Sequence, residues 1–187
     1  AAAFVFSAIM GCGASSPSVG VDATSPDATL GALRLYDYEP EGGLGEGAFG
    51  QVVLVEHKPT GREYAAKRLK KEQVNDAWLQ TEVAVLKTCR HPNIVFLREV
   101  LLSAASEDVF LVMELARGGS LDNAVEKEGA LPATYAASIT FQMASALDYL
   151  HASAIVHRDM KPENVLLLED SNRSLVKLCD FGLSKML

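Results

Sequence analysis

The run His157-Arg158-Asp159-Met160-Lys161-Pro162-Glu163-Asn164 and the later triplet Asp180-Phe181-Gly182 gather carboxylates, a carboxamide and an ammonium within a short stretch of chain. Oxygen donors such as Asn164 and Asp180 suit a hard divalent cation. A carboxylate can take a proton from a reacting hydroxyl, and an ammonium beside it can neutralise negative charge that builds up in a transition state. Far upstream, Gly45-Glu46-Gly47-Ala48-Phe49-Gly50-Gln51-Val52 has the spacing Gly-x-Gly-x-x-Gly-x-Val. Glycine there lets the backbone approach phosphate oxygens with no Cβ in the way. Together the two stretches suit chemistry on a phosphate group held beside a cation.

The same glycine spacing opens dinucleotide-binding folds, but in those it leads into a helix. Here Gln51-Val52-Val53-Leu54-Val55 is rich in β-branched residues and reads as a strand, which favours a hairpin over phosphates. Lys58-Pro59-Thr60-Gly61 supplies the next turn, and Glu63–Leu69 returns as a strand with Ala65 and Lys67 on one face. Asn75 or Asp76 caps a helix to about Arg90 with Leu79, Val83 and Leu86 as its apolar stripe and Glu82 at the border. His91-Pro92-Asn93-Ile94-Val95 ends that helix. An apolar strand, Phe110 to Ala116, then runs into Arg117-Gly118-Gly119. Pro132 opens a further helix, whose stripe of Ile139, Met143, Ala146, Leu147 and Leu150 ends near His151. Two apolar runs, Val165–Leu168 and Leu175–Leu178, flank a polar turn, so a hairpin sets Asn164 and Asp180 at its two open ends. Cys179 and His157 read as packing residues.

A chain of 187 residues, 49% hydrophobic and 22% charged, is that of a globular domain able to bury a core. The net charge of −7 gives no reason to expect nucleic acid as a partner. Three scattered cysteines and four histidines show no metal-ligand spacing, and a reducing, cytoplasmic setting fits them. All 17 Lys and Arg residues lie at or beyond Arg34, so residues 1–33 stand apart by composition, and Ser15-Ser16-Pro17-Ser18 and Thr24-Ser25-Pro26-Asp27 give them the polar, Pro-punctuated character of a disordered tail after an apolar start over Ala1 to Met10. The chain begins with Ala, which makes Met10 the expected natural start. From there Met-Gly-Cys-Gly-Ala-Ser matches the pattern for myristate on Gly11, with Cys12 as a second acylation point and membrane association as the result. If Met10 is internal, the match is accidental; both readings stay open.

From about Tyr36 to Leu187 these motifs resemble the eukaryotic protein kinases, of the Ser/Thr type. That resemblance implies an α+β, two-lobe fold: a β-rich small lobe over 34–113, a hinge over 114–119, and the first, mainly helical part of a large lobe over 120–187. It implies ATP and Mg2+ as cofactors and a protein with a Ser or Thr acceptor as substrate. By the same correspondence Asp159 is the base or orienting group and Lys161 stabilises the transferred phosphoryl and points to Ser/Thr specificity. Lys67 reaches the α- and β-phosphates and pairs with Glu82, and Asn164 and Asp180 hold the metal. Gly45, Glu46, Gly47, Ala48, Phe49 and Gly50 cover the phosphates. Val52, Ala65, Met113, Glu114, Ala116 and Leu166 surround the purine, while Leu86, Leu97, His157 and Phe181 form an apolar column. Arg158 resembles the guanidinium that pairs with an activation-loop phosphate. Asp180-Phe181-Gly182-Leu183-Ser184-Lys185-Met186 is most similar to the calcium/calmodulin-dependent group, though Gly118-Gly119-Ser120-Leu121-Asp122 is less typical of it. The Ala-Pro-Glu motif and later helices of the large lobe do not occur before Leu187, so the expectation is a fragment with negligible activity by itself. The other class of function weighed is a nucleotide-binding pseudokinase or membrane-tethered scaffold.

Overall fold

The computed structural model describes residues 35–47, 50–70, 76–103, 108–169 and 175–187. The tail with Met10, Gly11 and Cys12, and Ala48 and Phe49 of the glycine turn, lie outside the described residues. The chain divides into two compact units: one runs to Gln80 and includes Leu97–Glu114, the other comprises Thr81–Phe96 and Leu115–Leu187.

In the first unit, β1 (Tyr36–Gly47), β2 (Gly50–His57), β3 (Arg62–Leu69), β4 (Leu97–Leu102) and β5 (Val109–Glu114) make one antiparallel sheet in the order β1-β2-β3-β5-β4. The period-2 pattern of the sequence assigns its faces. Val53, Ala66 and Val112 stand opposite one another across β2, β3 and β5, and with Tyr36, Val55, Leu101 and Phe110 they form a buried cluster. Each large side chain so buried contributes about 1.5–3 kcal/mol. The start of β1 is pinned to β4, because the Tyr36 hydroxyl donates to the Glu99 carboxylate and receives a bond from Arg98 Nε at 3.0 Å. Burial first, then the Glu99 contact, pushes the Tyr36 phenol up to about 12. At the other end of the sheet, Arg68 Nη2 lies 2.6 Å from Asp108 Oδ2, which joins β3 to the start of β5. Gly61 turns the chain at φ 62, and its N–H and that of Thr60 both donate to the His57 carbonyl. His57 consequently pairs with Arg62, one residue before the expected start of β3.

Helix α1 (Asp76–Thr88) straddles the division between the units. It buries Leu79, Val83 and Leu86 as the stripe requires, and Val85 and Glu82 besides. Its end at Thr88 falls short of the expected Arg90. The reason is local: the Arg90 N–H donates to the Tyr149 hydroxyl at 2.9 Å instead of to a helix carbonyl. In the second unit α2 (Leu121–Glu128) starts at Ser120, whose hydroxyl accepts the Asn123 N–H. Pro132 caps α3 (Ala133–Ala152), and its carbonyl accepts from Tyr135 and Ala136. Ile139, Met143, Ala146 and Leu150 are buried, with Leu147 half-buried at the edge of the same stripe. Two short antiparallel pairs complete this unit: β6 (Ile155–Val156) with β9 (Lys185–Met186), and β7 (Val165–Leu167) with β8 (Val176–Leu178). A β-rich unit followed by a mainly helical one is the α+β class expected from the sequence. Among the described residues, no helix is long and apolar enough to cross a membrane.

Candidate active site

After α3, Ala154 takes a left-handed φ of 57° and turns the chain into β6. The loop from His157 to Asn164 then closes in a 3-10 turn over Pro162–Asn164, with proline at its start where no N–H is required. Within this loop the charged groups meet. Lys161 Nζ lies 2.9 Å from Asp159 Oδ2. Asn164 Nδ2 donates to the same oxygen at 2.9 Å and to the Asp159 carbonyl at 2.8 Å. The Lys161 contact, and after it the Asn164 amide, holds the Asp159 carboxyl below the usual carboxylate range, so Asp159 is ionised. Lys161 is raised in turn by the same bond.

His157 supports this loop from beneath. It is 1% exposed, so its ring is removed from water and must satisfy its nitrogens inside the protein. Nδ1 accepts the Asp159 N–H at 3.3 Å, which leaves the proton on Nε2, and Nε2 donates to the Cys179 carbonyl at 3.1 Å. The imidazole is therefore neutral, and burial pushes its pKa down. Phe181 packs edge-on against it at 4.9 Å between centroids. The packing role read from the sequence for His157 is the one it has.

The β7–β8 hairpin brings the two oxygen donors together. The Cys179 N–H donates to the Asn164 carbonyl at 2.9 Å, so Asp180 follows directly from a residue bonded to Asn164. Asp180 itself sits at φ 59, a conformation that Asp tolerates better than most side chains. Both hydrogens of the Asn164 carboxamide go to Asp159, and Oδ1 is the atom it has left for a cation. Among the described residues, no three or more His, Cys, Asp or Glu side chains gather as a metal cluster. Two oxygen donors nevertheless fit magnesium, which keeps several waters and completes its shell with substrate phosphates. Arg158, also left-handed at φ 68, donates through Nε to the Leu183 carbonyl at 2.6 Å and through Nη2 to that of Ser184 at 3.3 Å.

In the first unit, the strand register places Val52 opposite Lys67 and Lys67 opposite Leu111, with Leu54, Ala65 and Met113 in the adjacent row. Val52, Ala65, Lys67 and Met113 thus share one face of the sheet, the reverse of the buried cluster. Val52, Leu54, Ala65 and Met113 are only half-buried there, whereas Lys67 is 8% exposed. Gly45 pairs with Val52, Glu46 with Gln51 and Gly47 with Gly50 across the glycine hairpin. The glycines differ in purpose. A Cβ on Gly50 would fall 2.2 Å from the Arg68 carbonyl, at a φ of +141, so the fold itself demands glycine. Among the described residues, a Cβ on Gly45 would meet nothing within 4 Å. Neither backbone conformation nor packing explains that glycine, and the open space is what an approaching ligand needs.

Glu82, on α1, is buried at 1% exposure. Glu114 ends β5 opposite Tyr64, and Ala116 is half-buried just beyond. Past it the chain is sewn to β7: the Arg117 and Gly118 N–H groups donate to Leu168 and Leu167, and the Leu167 N–H returns to Gly119. Gly118 permits this approach, since a Cβ would lie 2.6 Å from that of Leu167. Leu166 stays half-buried between buried Val165 and Leu167.

In the sequence Asn93 reads only as part of the passage from helix back to sheet, and Gln142 carries no signal. Both hold β8. Asn93 Nδ2 donates to the Val176 carbonyl at 2.9 Å and to Gln142 Oε1 at 2.7 Å, while Gln142 Oε1 accepts the Val176 N–H at 3.1 Å. No periodic signal marks such residues, because their partners lie far along the chain.

A family model described as "Protein kinase domain" matches residues 38–187. The chain is similar to Myosin light chain kinase A of Dictyostelium discoideum, 41% identical over 157 residues that cover 82% of this chain and 52% of that protein. It is similar to CBL-interacting protein kinase 21 of Oryza sativa subsp. japonica, 37% identical over 159 residues, covering 83% of this chain and 29% of the relative. A crystal structure of Rad53 1-466 in complex with AMP-PNP matches with a TM-score of 0.75 and 33% identity, over 81% of this chain and 40% of the other. The chain therefore spans about half the length of the first relative and under a third of the second.

Proposed function

We propose that this chain, which belongs to the protein kinase domain family, is the nucleotide-binding and catalytic-loop part of a protein serine/threonine kinase that transfers the γ-phosphoryl group of ATP. The observation that carries this reading is the Asp159 carboxylate, held ionised between Lys161 and Asn164. Residues 34–113 serve as the small lobe, 114–119 as the hinge and 120–187 as the start of the large lobe.

The chemistry follows from those groups. As the substrate hydroxyl oxygen bonds to the γ-phosphorus, the bond from phosphorus to the bridging oxygen breaks and ADP departs. The hydroxyl proton goes to Asp159. A carboxylate held below its usual range is a weaker base, so its larger contribution is to orient the hydroxyl while the proton transfers late. Lys161, bonded to that carboxylate, also offers its charge to the equatorial oxygens of the phosphoryl group. Magnesium, when bound through Asn164 and Asp180, neutralises phosphate charge. Lys67 holds the α- and β-phosphates with Glu82 as its partner. Val52, Ala65, Met113 and Leu166 enclose the purine, and the backbone of Glu114 and Ala116 meets its edge. The Gly45 to Gly50 hairpin, including Glu46, Gly47, Ala48 and Phe49, covers the phosphates, and Gly45 leaves room for them.

The test is phosphorylation of a Ser/Thr peptide library by the full-length protein with MgATP. Asp159→Asn should lower kcat by about 10²–10⁴-fold with ATP affinity retained; equal turnover by that variant rejects the reading. The Met10–Ser15 pattern supports anchoring of a cytoplasmic protein through Gly11 and Cys12, and the absence of Gly11-dependent labelling by a myristate analogue, with Gly11→Ala as control, would reject it.

A further inference from the structure

The β7–β8 pair has only two strands, so the outer edge of β8 would expose its backbone groups. Val176 and Leu178 are nevertheless both 0% exposed. Their outward hydrogen bonds are supplied by the segment after α1 and by α3. Asn93 O accepts the Leu178 N–H at 2.8 Å, and the Val95 N–H donates to the Leu178 carbonyl at 2.9 Å, with Ile94 bridging Leu178 in parallel. At Val176 no strand is present among the described residues, and the Asn93 carboxamide and Gln142 Oε1 replace one: the first donates to the carbonyl, the second accepts the N–H, and the two bond to each other. β8 is thereby a central strand in its hydrogen bonding. Four residues beyond Val176 lies Asp180.

We propose that Asn93 and Gln142 are a positioning pair for the divalent cation: by fixing the outer edge of β8 they set where the Asp180 carboxylate stands relative to Asn164. The inference rests on the phosphotransferase reading, because it concerns the cation that Asn164 and Asp180 take there. The path is short and continuous. Val176 is fixed by the pair, Leu178 by the Asn93 backbone, and Cys179 by the Asn164 carbonyl and the His157 ring. Loss of the Asn93 amide would leave the Val176 carbonyl buried without its donor, a state the strand escapes by shifting toward solvent. Asp180 would shift with it. The same two residues bond the α1 exit to α3.

The experiment is a Mn2+ titration of the full-length protein in the presence of AMP-PNP, read by electron paramagnetic resonance, beside AMP-PNP affinity in EDTA and melting temperature. Asn93→Ala should weaken Mn2+ binding about tenfold, and Gln142→Ala about threefold, while metal-free nucleotide affinity changes less than about twofold. Gln142→Glu keeps the acceptor and should keep Mn2+ affinity. Ser145→Ala removes the contact of α3 with His91 at 3.2 Å but touches no atom of β8, and should leave Mn2+ affinity as it was. Should Asn93→Ala fail to fold, Gln142→Ala decides. Mn2+ binding within about twofold of wild type in the alanine variants, or equal weakening in Ser145→Ala, overturns the positioning role alone. Wild-type protein that takes up no Mn2+ with AMP-PNP overturns the role and the phosphotransferase reading together.

Discussion

The sheet of the first unit and the loop-and-hairpin arm of the second place their functional groups by different means. In the sheet, Val52, Ala65, Lys67 and Met113 share a face because antiparallel register repeats every two residues. In the arm, Asp159, Asn164 and Asp180 stand together because side chains and left-handed turns hold an irregular backbone. The sheet can accept changes at a ligand-facing position without loss of register. The arm depends on individual hydrogen bonds, so a single deletion there is felt at the charged groups.

The largest test of this contrast is a pair of glycine substitutions. Gly50→Ala places a methyl against the Arg68 carbonyl at a positive φ, and should cost about 3 kcal/mol or more in denaturant unfolding. Gly45→Ala should stay within about 0.5 kcal/mol in stability yet weaken nucleotide binding, since its Cβ enters open space. Equal destabilisation by both would erase the distinction. Next, Lys67→Met should keep the sheet folded and reduce phosphoryl transfer about 10²-fold, more than it reduces ATP affinity; steady-state kinetics on the full-length protein separate the two. A smaller effect sharpens the other side. Lys161 holds the Asp159 carboxyl low, so Lys161→Met should raise it toward ordinary carboxylate values, and the acid limb of the pH–rate profile should move up with it. The sign follows from the ion pair: Asp159 stays charged to lower pH with Lys161 than without, and side-chain carboxyl NMR titration reads the shift. The smallest effect is at Ala154, where the left-handed φ of 57° should make Ala154→Gly stabilising by about 1 kcal/mol, seen as a higher Tm.

What could be read from the sequence follows the same division. Alternation in Glu63–Leu69 placed Ala65 and Lys67 on one face, and the 3.6-residue stripe of α3 gave Ile139, Met143, Ala146 and Leu150, because both signals are local. The run of oxygen donors was legible as residue types. Its bracing was not: Asn93 reaches Val176 across 83 positions, His157 reaches Cys179 across 22, and Tyr36 reaches Glu99 across 63. No window of neighbouring residues contains such pairs. Glu82 is a partial case, since the sequence set it at the border of a stripe and the structure buries it fully.

The buried His157 ring gives the His157–Asn164 loop an order of failure under acid. Burial lowers its folded pKa, so the unfolded loop takes up a proton first, from about pH 6.5 downward, and acid favours opening until the pH falls through the folded pKa. Asp159, held below the normal range, is still ionised when that begins. An acidified environment would thus loosen the floor of this loop before it neutralised the Asp159 carboxylate.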